Sequence, residues 1–503
     1  MTTHHPSRRQ FLSRSLGIAA ALTLPRALWA DPLAPWLSAP PRLVRPVRVR
    51  GRVLAAGRGI GNAGISDGIE VVSTAADGSF ELVSDGRRPW VTVTPPSGYA
   101  IPTQPNGTFR CFSRVTPDAR GEASVRFDLQ PLGHADERHG FLVLADTQTQ
   151  DREEMARLHA ETVPDVRSTI QGLGDLPLFG VADGDIMYDH LELYGDYERG
   201  VTAMGIPFAQ VVGNHDLDLN ADSDEASTAT FEQHFGPRYY SFNRGRVHYV
   251  ILDDVFYYDG GYLGYLPQDQ LTWLANDLAM VERGATVVVF LHIPLLSTGF
   301  ERAGNPKPPI NSSVANRDAL VRLLEPYRAR VISGHVHEME HRMEGSVVEH
   351  IAAAVCGAWW TGDICYDGSP NGYVVYEVNG DDLRWRYKGT GLPADRQVRV
   401  YGGGSDPRAP GEIVANVWDW NDRWTVTWYE NGERKGRMSR RIGLDPRSVR
   451  LHTGPDLPKK RGWVEPVPTG HLFYAPVSAD AKQVMVEARD PWGRTYTATP
   501  ETA

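Results

Sequence analysis

The sequence predicts an α/β core with a β-rich domain on either side. The middle of the 503-residue chain alternates short apolar strands with helical segments, whereas the segments before and after it contain mostly short alternating strands. Strands separated by helices are typical of stacked α/β layers, and closely spaced strands with polar turns are typical of β-sandwiches. The length agrees with about three domains of roughly 150 residues each.

The composition excludes several classes of protein. Hydrophobic residues make up 41% of the chain and charged residues 23%, which is close to the globular norm and excludes wholesale disorder. No apolar run reaches the ~18 residues of a transmembrane helix, so we expect the mature protein to be soluble. The three cysteines are too few for a disulfide framework.

Residues 1–30 resemble a twin-arginine export signal. Arg8 and Arg9 precede a short apolar stretch from Leu16 to Leu24, and we place cleavage near Ala30. We therefore expect the twin-arginine machinery to export the protein to the periplasm or the medium; an ordinary secretory signal with a chance arginine pair is the alternative. Removing this segment, with four arginines and no acidic residue, would lower the net charge from -10 to -14. Such a charge argues against general binding of nucleic acid or anionic membranes.

A proline-rich linker over 31–46 leads into the first predicted domain, an N-terminal β-sandwich over 47–135. Its strands are separated by turn clusters such as Ala76-Asp77-Gly78. The predicted strands are 47–53, 69–72, 79–82, 90–94 and 123–129. The pattern resembles the prealbumin-like sandwiches that precede many secreted hydrolases, and we identify no catalytic residues in it.

The second domain, over 136–378, carries the α/β pattern. The predicted strands are 141–145, 178–181, 208–212, 247–252, 287–291, 330–333 and 348–352. The predicted helices are 152–172, 191–204, 268–283 and 315–328. Leu271, Leu274 and Leu278 recur at helical spacing in the third helix, which begins after Pro267.

The third domain, over 379–503, is predicted to be β-rich. Residues 411–418 and 423–428 alternate between apolar and polar side chains, and Asn431-Gly432 marks the next turn. The basic run Lys459-Lys460-Arg461 is expected to form a solvated turn. The role of this domain is left open.

Five short motifs in the middle domain place polar side chains at or just after predicted strands. They are Asp146-Thr-Gln148, Gly184-Asp-Ile-Met-Tyr188, Gly213-Asn-His-Asp216, Leu291-His-Ile-Pro294 and Gly334-His-Val-His337. In stacked α/β layers such strand ends meet on one rim. Carboxylate, amide oxygen and imidazole are suitable ligands for first-row metals.

This ordered set of motifs resembles the calcineurin-like metallophosphoesterase superfamily. The resemblance implies a four-layer αββα core with two metal ions, of the Mn, Fe or Zn type. It implies that the first metal is held by Asp146, Gln148, Asp185 and His337, and the second by Asp185, Asn214, His292 and His335. It further implies that His215 lies near the leaving-group oxygen, as an acid or a transition-state donor, while a metal-activated water attacks phosphorus.

Two positions depart from the commonest family pattern. Gln148 stands where the family usually has histidine, so it is either a weaker metal ligand or a hydrogen-bonding neighbour of the ligands. Tyr188 stands where an aspartate usually orients the catalytic histidine. It resembles the iron-ligating tyrosine of purple acid phosphatases, but we favour a packing role for Tyr188, with Asp189 or Asp216 orienting His215.

Substrate contacts are expected from loops that follow the strands. Trp359 and Trp360, after the strand that follows the Gly-His-Val-His motif, are candidates together with Tyr188, although the tryptophans are equally suited to packing in a lid. Cys356 and Cys365 are close enough in sequence for a disulfide, which we leave open.

These observations favour an exported dinuclear metal-dependent phosphoesterase acting on a phosphomonoester or phosphodiester, such as a phospholipid headgroup, a nucleotide or a phosphorylated glycan. One alternative is a non-catalytic protein that binds envelope glycans around a structural metal core. Another is a metal-dependent nuclease, against which the acidic charge argues. The metals, the substrate and the oligomeric state stay open.

Overall fold

The computed structural model describes residues 46–305, 307–455 and 457–501. The predicted signal segment and all but the last residue of the predicted linker lie outside the described residues. Within the described residues, no helix combines the length and the apolar character needed to cross a membrane.

The N-terminal domain consists of two sheets packed face to face. Its strands are β1 (Val47–Ala55), β2 (Arg58–Gly59), β3 (Gly64–Ser66), β4 (Val71–Ser73), β5 (Ser79–Ser84), β6 (Trp90–Thr94), β7 (Phe112–Arg114) and β8 (Glu122–Asp128). Strand β1 pairs with β2 and β5 in antiparallel and with β8 in parallel fashion, and the second sheet has the order β4-β3-β6-β7. Alternate side chains of β5 are buried, as Phe80 and Leu82 show, which is the pattern of a sheet with one solvated face.

The core contains two larger sheets. Its strands are β9 (Arg138–Leu144), β10 (Leu178–Asp183), β11 (Phe208–Val211), β12 (Tyr240–Arg244), β13 (Val247–Ile251), β14 (Val255–Tyr258), β15 (Gly261–Gly264), β16 (Thr286–Phe290), β17 (Arg328–Ser333), β18 (Glu340–Glu344), β19 (Val347–Ile351), β20 (Gly372–Asn379) and β21 (Asp382–Gly389). One sheet has the order β11-β10-β9-β20-β21 and the other β12-β13-β16-β17-β19-β18, while β14 and β15 form a separate hairpin. All seven predicted core strands are present.

Buried aromatic rings join the two core sheets. Phe141 of β9 stacks on Tyr376 of β20 at 4.4 Å between centroids, and it meets Phe290 of β16 edge to face at 5.7 Å. Tyr249 of β13 lies 5.6 Å from the same ring. Such pairs add to the burial of apolar surface and hold the sheets face to face.

Helices connect the core strands. They are α1 (Arg152–Arg157), α2 (Val163–Gly172), α3 (Tyr194–Met204), α4 (Ala229–Phe235), α5 (Gln268–Leu278), α6 (Gly299–Arg302) and α7 (Arg317–Leu324). A π-helical turn over Leu158–Thr162 joins α1 to α2, so the predicted helix 152–172 is continuous but irregular. Asp151 caps α1 by accepting from the amides of Glu153 and Glu154. The predicted helices are all present, although α5 ends before 283.

The C-terminal domain is a second two-sheet structure. Its elements are β22 (Val398–Tyr401), β23 (Glu412–Val417), β24 (Thr425–Glu430), β25 (Glu433–Arg437), β26 (Ser439–Gly443), α8 (Pro446–Thr453), β27 (Thr469–Pro476), β28 (Val484–Arg489), β29 (Thr495–Ala498) and β30 (Pro500–Glu501). The sheets have the orders β26-β27-β23-β22-β30 and β25-β24-β28-β29.

The boundary between the core and the C-terminal domain differs from the predicted position at 378. Strand β21 pairs with β20 along its whole length, from Gly372 with Gly389 to Asn379 with Asp382, and so belongs to the first core sheet. The alternation of β21 identifies it as a strand, but only the pairing decides which sheet receives it.

Candidate metal centre

The five motifs lie together at one edge of the core. Asp146 follows β9, Asp185 follows β10, Asn214 follows β11, His292 follows β16 and His335 follows β17. Strands β9, β10 and β11 run parallel to one another, as do β16 and β17, so the carboxyl ends within each set point to the same edge. Residues far apart in sequence are therefore adjacent in space.

The backbone at this edge is strained in a systematic way. Asp146, Gln148, Asp185, His335 and His337 all have φ between 40° and 70°, the left-handed region that residues with a Cβ rarely adopt. Each such residue costs of order 1–3 kcal/mol, and such residues cluster at functional sites. The strain aims these side chains into one small space.

Two glycines permit the close approach of the motifs. A Cβ on Gly213 would lie 1.9 Å from the amide nitrogen of Asp185, and one on Gly184 would lie 2.3 Å from Nδ1 of His292. Gly184 also has φ of 82°. Neither position can accept a side chain without displacing candidate ligands.

Asp185 is the central residue of the cluster. Its Oδ2 accepts a hydrogen bond from Gln148 Nε2 at 2.7 Å, its Oδ1 accepts from the His215 amide at 2.9 Å, and His292 Nε2 lies 3.2 Å from Oδ1. Burial opposes the charge of this carboxylate, but His292 and His215 outweigh it and hold the pKa of Asp185 below its usual range. One carboxylate thus faces both halves of the predicted ligand set.

Asp146 occupies the second acidic position. Its two oxygens accept from the His335 amide at 3.1 and 3.0 Å, and its Oδ1 lies 3.4 Å from His337 Nε2. The side chain is fully buried. Asp146 and His337 therefore lie together, as the first predicted metal site requires.

Backbone carbonyls orient the three candidate imidazoles. Because a carbonyl only accepts, the donors are His292 Nδ1 to Asp183 at 3.0 Å, His337 Nδ1 to Gly357 at 2.6 Å and His335 Nε2 to Asn311 at 3.0 Å. Each ring therefore keeps its other nitrogen unprotonated when neutral. Carbonyl-oriented imidazoles are the usual arrangement of metal-bound histidines.

The buried side-chain atoms that lack a hydrogen-bond partner are the ones that would bind metal. Four buried side-chain atoms of this cluster have no hydrogen-bond partner: Asn214 Oδ1, His292 Nε2, His335 Nδ1 and His337 Nε2. Ligand atoms of Asp185, His292 and His335 lie within 4.8 Å of one another. Buried polar atoms are rarely left unpaired, so the donor set fits metal cations.

The pKa values of His335 and His292 are shifted in opposite directions. Burial and the neighbouring His292 lower the pKa of His335 to about 4, which leaves it neutral. Burial also opposes charge on His292, but Asp185 outweighs it and raises the pKa of His292 to about 10. The acidic cluster thus attracts positive charge, and a cation would take the place of that proton.

His215 forms a pair with Asp189 beside the cluster. Its Nδ1 lies 2.8 Å from Asp189 Oδ1, so the other ring nitrogen is the one available to a ligand. Although burial disfavours the imidazolium, the carboxylates of Asp185 and Asp189 outweigh it and raise the pKa of His215. Of the two residues expected to orient His215, the structure places Asp189 there.

The expectation that Asp216 orients His215 is wrong. Its carboxylate accepts from the amides of Ile186, Met187 and Gly213 at 3.0 Å each and from the Tyr194 hydroxyl at 3.0 Å. These bonds tie together the loops after β10 and β11. Asp216 therefore shapes the backbone of the site.

Tyr188 packs between two groups. Its ring stacks on His215 at 4.2 Å between centroids, with 17° between the planes, and the guanidinium of Arg461 lies 5.0 Å from its centre. Burial raises the pKa of the Tyr188 hydroxyl. These contacts match the packing role that we favoured over metal binding.

The two tryptophans have different positions. Trp359 lies over His337 at 4.7 Å and contacts Trp463 at 4.4 Å between centroids. Trp360 is 7% exposed, donates from Nε1 to the Thr147 carbonyl at 3.1 Å and carries the Arg157 guanidinium on its ring. The expectation that Trp360 contacts substrate is therefore wrong, because its ring faces α1 and supports the metal loop from behind.

Gln148 and the cysteines complete the surroundings. Gln148 donates to Asp185, and its Oε1 lies 3.6 Å from Sγ of Cys356. Cys356 also lies 3.6 Å from Nδ1 of His337. Cys111, Cys356 and Cys365 are buried free thiols, so Cys356 and Cys365 are not joined.

A cavity of about 380 Å³ opens directly onto the cluster. Its inner end is formed by Gln148, Asp185, Asn214, His215 and His335. Its walls come from the hairpin, the loop after His292, the loop after β19 and the C-terminal domain; the aromatic members are Tyr188, Tyr262, Phe300, Trp359, Tyr366 and Trp463. The cluster is thus accessible to a small molecule.

Several contributors were missed from the sequence. Asp183 and Asp254 are buried acids beside His292; Asp254 accepts from the His292 amide at 3.0 Å, and burial raises the pKa of Asp254 to about 7. Asp183 is part of the Asp-Gly-Asp sequence and could have been noticed for that reason. Trp463 and Arg461 come from a segment without any local signal, and Arg461 contradicts the expected solvated turn because its side chain is only 6% exposed.

Three family models match successive segments of the chain. They describe the N-terminal part of calcineurin-like phosphoesterases over residues 47–132, the calcineurin-like phosphoesterase domain over 140–339 and the C-terminal part over 349–496. Together these matches span the β-sandwich, the core and the C-terminal domain.

Curated relatives match part of the chain. Purple acid phosphatase 15 of Arabidopsis thaliana is 29% identical over 161 residues, which cover 30% of this chain and 27% of that protein. The serine/threonine-protein phosphatase CPPED1 of Mus musculus is 30% identical over 200 residues, or 38% of this chain and 61% of that protein. The chain thus spans less than two thirds of either relative.

Two solved structures match at lower sequence identity. A dimetal phosphatase from Danio rerio matches with 16% identity and a TM-score of 0.35, covering 50% of this chain and 96% of that one. Purple acid phosphatase PPD1 from yellow lupin matches with 12% identity and a TM-score of 0.37, covering 65% of this chain and 67% of that one.

Proposed function

Because the chain belongs to the calcineurin-like phosphoesterase family, we propose that it is an exported enzyme that hydrolyses a phosphomonoester or phosphodiester with two bound metal ions. The observation that carries the proposal is the set of four unpaired buried atoms, on Asn214, His292, His335 and His337, gathered around Asp185 and Asp146. A purely structural core would satisfy these atoms with hydrogen bonds.

We assign the two ligand sets as the family resemblance implies. Asp146, Gln148, Asp185 and His337 would hold one ion, and Asp185, Asn214, His292 and His335 the other. Two cations at such a site supply positive charge against the phosphate oxygens and lower the pKa of a bound water. Gln148 enters this set through the amide oxygen, which requires the amide to turn so that the oxygen replaces the nitrogen now facing Asp185.

His215 and Asp189 supply proton chemistry. Asp189 accepts the Nδ1 proton of His215, which fixes the ring and leaves Nε2 as the group offered to the substrate. The neighbouring carboxylates favour the protonated ring and raise the pKa of His215, and a protonated ring can donate to a leaving oxygen. Tyr188 holds the face of the ring, so the donor keeps its position.

The test is turnover together with metal content. Purified protein loaded with Mn²⁺, Zn²⁺ or iron is assayed on p-nitrophenyl phosphate and bis-p-nitrophenyl phosphate, and bound metal is counted by elemental analysis. We expect two metals per chain, and a loss of at least about 100-fold in kcat for His215→Ala with the metals still bound. His190→Ala is the matched control, because His190 is exposed and pairs with Glu192.

The proposal fails if no phosphoester is hydrolysed with any of these metals. A glycan-binding protein would then be the surviving alternative. Cleavage of plasmid DNA faster than either small ester would instead favour the nuclease.

Export is the second part of the proposal. It is supported by Arg8-Arg9 and the apolar stretch that follows. The signal sequence is tested by fusing residues 1–30 to a reporter protein in a bacterium with a twin-arginine pathway, and comparing it with an Arg8→Lys, Arg9→Lys version. Equal export of both fusions would exclude the twin-arginine route.

A further inference from the structure

We propose that the site accepts phosphoesters whose organic part is an uncharged apolar or aromatic group, and discriminates against substrates with a second anionic group; this inference rests on the proposed function. It is based on the outer part of the 380 Å³ cavity, beyond the candidate metal centre. That region is built from side chains of three separate segments.

The walls of this outer region are largely apolar. Phe300, Ala303 and Pro309 come from the loop after His292, Val464 and Val467 come from the C-terminal domain, and they face the aromatic rings of the loop after β19. Trp359, Tyr366 and Trp463 form one aromatic cluster, with Trp359 centred 5.2 Å from Tyr366 and 4.4 Å from Trp463. Apolar walls of this kind favour an apolar organic group, because removing its surface from water is favourable.

The charged residues of the cavity wall also favour a substrate whose organic part is uncharged. Among the residues that the structure describes, those that line the cavity include no lysine or arginine, and the acids beyond Asp185 are Glu338 and Glu465. A second phosphate or carboxylate on the substrate would therefore meet no lysine or arginine among the described residues of the wall. Burying an anion without a partner is costly.

The nearest arginines are already paired with acids. Arg302 pairs with Glu338, lies 3.3 Å from Glu340 and donates to the Pro468 carbonyl at 2.8 Å. Arg461 lies 3.0 Å from Glu154 and donates to the carbonyl of Trp359. Both guanidinium groups hold the walls of the cavity in place instead of pointing into it.

The first experiment measures binding and needs no turnover. Metal-loaded protein is titrated by calorimetry with methylphosphonate, n-hexylphosphonate and 5-carboxypentylphosphonate, which share the metal-binding group and differ in the tail. We expect n-hexylphosphonate to bind at least about tenfold more tightly than either of the others. Equal affinities would overturn the inference.

The second experiment measures hydrolysis of the matching alkyl phosphates, whose leaving groups have similar basicity. We expect the hexyl ester to have the highest kcat/KM, through a lower KM. Turnover without this preference would refute the inference and leave the proposed function intact. Tight binding of n-hexylphosphonate without any turnover would support the preference for an apolar group and refute the proposed phosphoesterase activity.

Variants connect the preference to named residues. Trp463→Ala should weaken binding of n-hexylphosphonate by about tenfold and leave methylphosphonate unchanged. Trp420→Ala is the matched control, because Trp420 lies in the same domain, packs on Phe473 and does not line the cavity.

A charge can also be added at the rim. Ala303 is exposed, so Ala303→Lys should fold normally and should raise the affinity for 5-carboxypentylphosphonate several-fold relative to n-hexylphosphonate. Ala303→Gln is the uncharged control. An equal effect of both substitutions would contradict the electrostatic part of the inference.

Discussion

Arg461 of the C-terminal domain forms a buried ion pair with Glu154 of helix α1, with 3.0 Å between Nη1 and Oε1 and exposures of 6% and 3%. The same guanidinium covers the ring of Tyr188, which in turn stacks on His215. The C-terminal domain is thus connected to the candidate catalytic histidine through one arginine, and it forms part of the site.

Replacing Arg461 should therefore destabilise the protein. We expect Arg461→Met to lower the free energy of unfolding by about 1–3 kcal/mol, because Glu154 keeps Lys460 as its ion-pair partner while the Trp359 carbonyl and Gln150 Oε1 lose their donor. The measurement is urea denaturation, with Arg434→Met as the control on an exposed arginine of the same domain. Equal, small effects of the two substitutions would show that the buried ion pair contributes little.

Asp189→Asn should affect catalysis more than folding. The amide no longer stabilises protonated His215, so we expect kcat to fall about 10- to 100-fold with KM and metal content nearly unchanged. Steady-state kinetics and elemental analysis of the same preparation check this. A change in bound metal would contradict the assignment of Asp189 to His215 alone.

Asp216→Asn should affect folding more than catalysis. Its carboxylate accepts three amide hydrogen bonds and one from the Tyr194 hydroxyl. In asparagine an NH2 group replaces one oxygen and cannot accept, so at least one of these donors would lose its partner. We expect a loss of about 1–3 kcal/mol in the free energy of unfolding. Thermal unfolding alongside Asp222→Asn, a substitution at an exposed acid in the following loop, measures the difference. An Asp216 variant of normal stability but without activity would refute this structural role.

Metal removal should lower stability through the same cluster. Cations that bind only the folded state stabilise it by about 2.7 kcal/mol at 100 times the dissociation constant. We expect a chelator to lower the unfolding temperature and added metal to restore it. Asp185→Asn should abolish most of this metal-dependent gain, and a full response in that variant would contradict the assignment of Asp185 to the metal ligands.

His139 should make stability depend on pH. Burial lowers the pKa of His139 to about 4 from an ordinary value of 6.5, and the neutral ring lies 2.6 Å from the Tyr249 hydroxyl through Nε2. Between these two values the unfolded chain binds a proton that the folded protein does not. Stability from this group is therefore present above pH 6.5 and is lost as the pH falls toward 4.

The test compares His139→Gln with the unaltered protein by urea denaturation at several pH values. The stability advantage of the unaltered protein should shrink by about 3 kcal/mol between pH 7 and pH 4. His134→Gln, at an exposed position nearby, should show no such change. A stability difference independent of pH would indicate that His139 titrates normally in the folded protein.

Much of the site was predictable because its information is local. Gly213-Asn-His-Asp216 and Gly334-His-Val-His337 each combine a strand end, a glycine that permits close approach and two or more polar ligands in a few residues. Such motifs are recognisable without knowing their partners. The candidate metal ligands and His215 were identified in this way.

The errors occurred where the deciding contact is distant in sequence. Asp189 and Asp216 were equal candidates to orient His215, since both lie in motifs of the site. Trp359 and Trp360 are adjacent, but the backbone directs one ring to the cavity and the other toward Arg157. The pairing of β21 with β20 likewise depends on which sheet has a free edge.

The sequence by itself determined the family, the α/β core between β-rich domains and the candidate ligands, because hydrophobic period and strand-end motifs are short-range properties. Only the tertiary structure decided that Arg461 and Trp463 belong to the site, that Asp189 is the partner of His215, and that no lysine or arginine of residues 46–305, 307–455 and 457–501 lines the cavity. Those facts depend on contacts between segments hundreds of residues apart, as with Glu154 and Arg461. Burial gives such contacts a large effect on stability, since a charged group removed from water needs an oppositely charged partner.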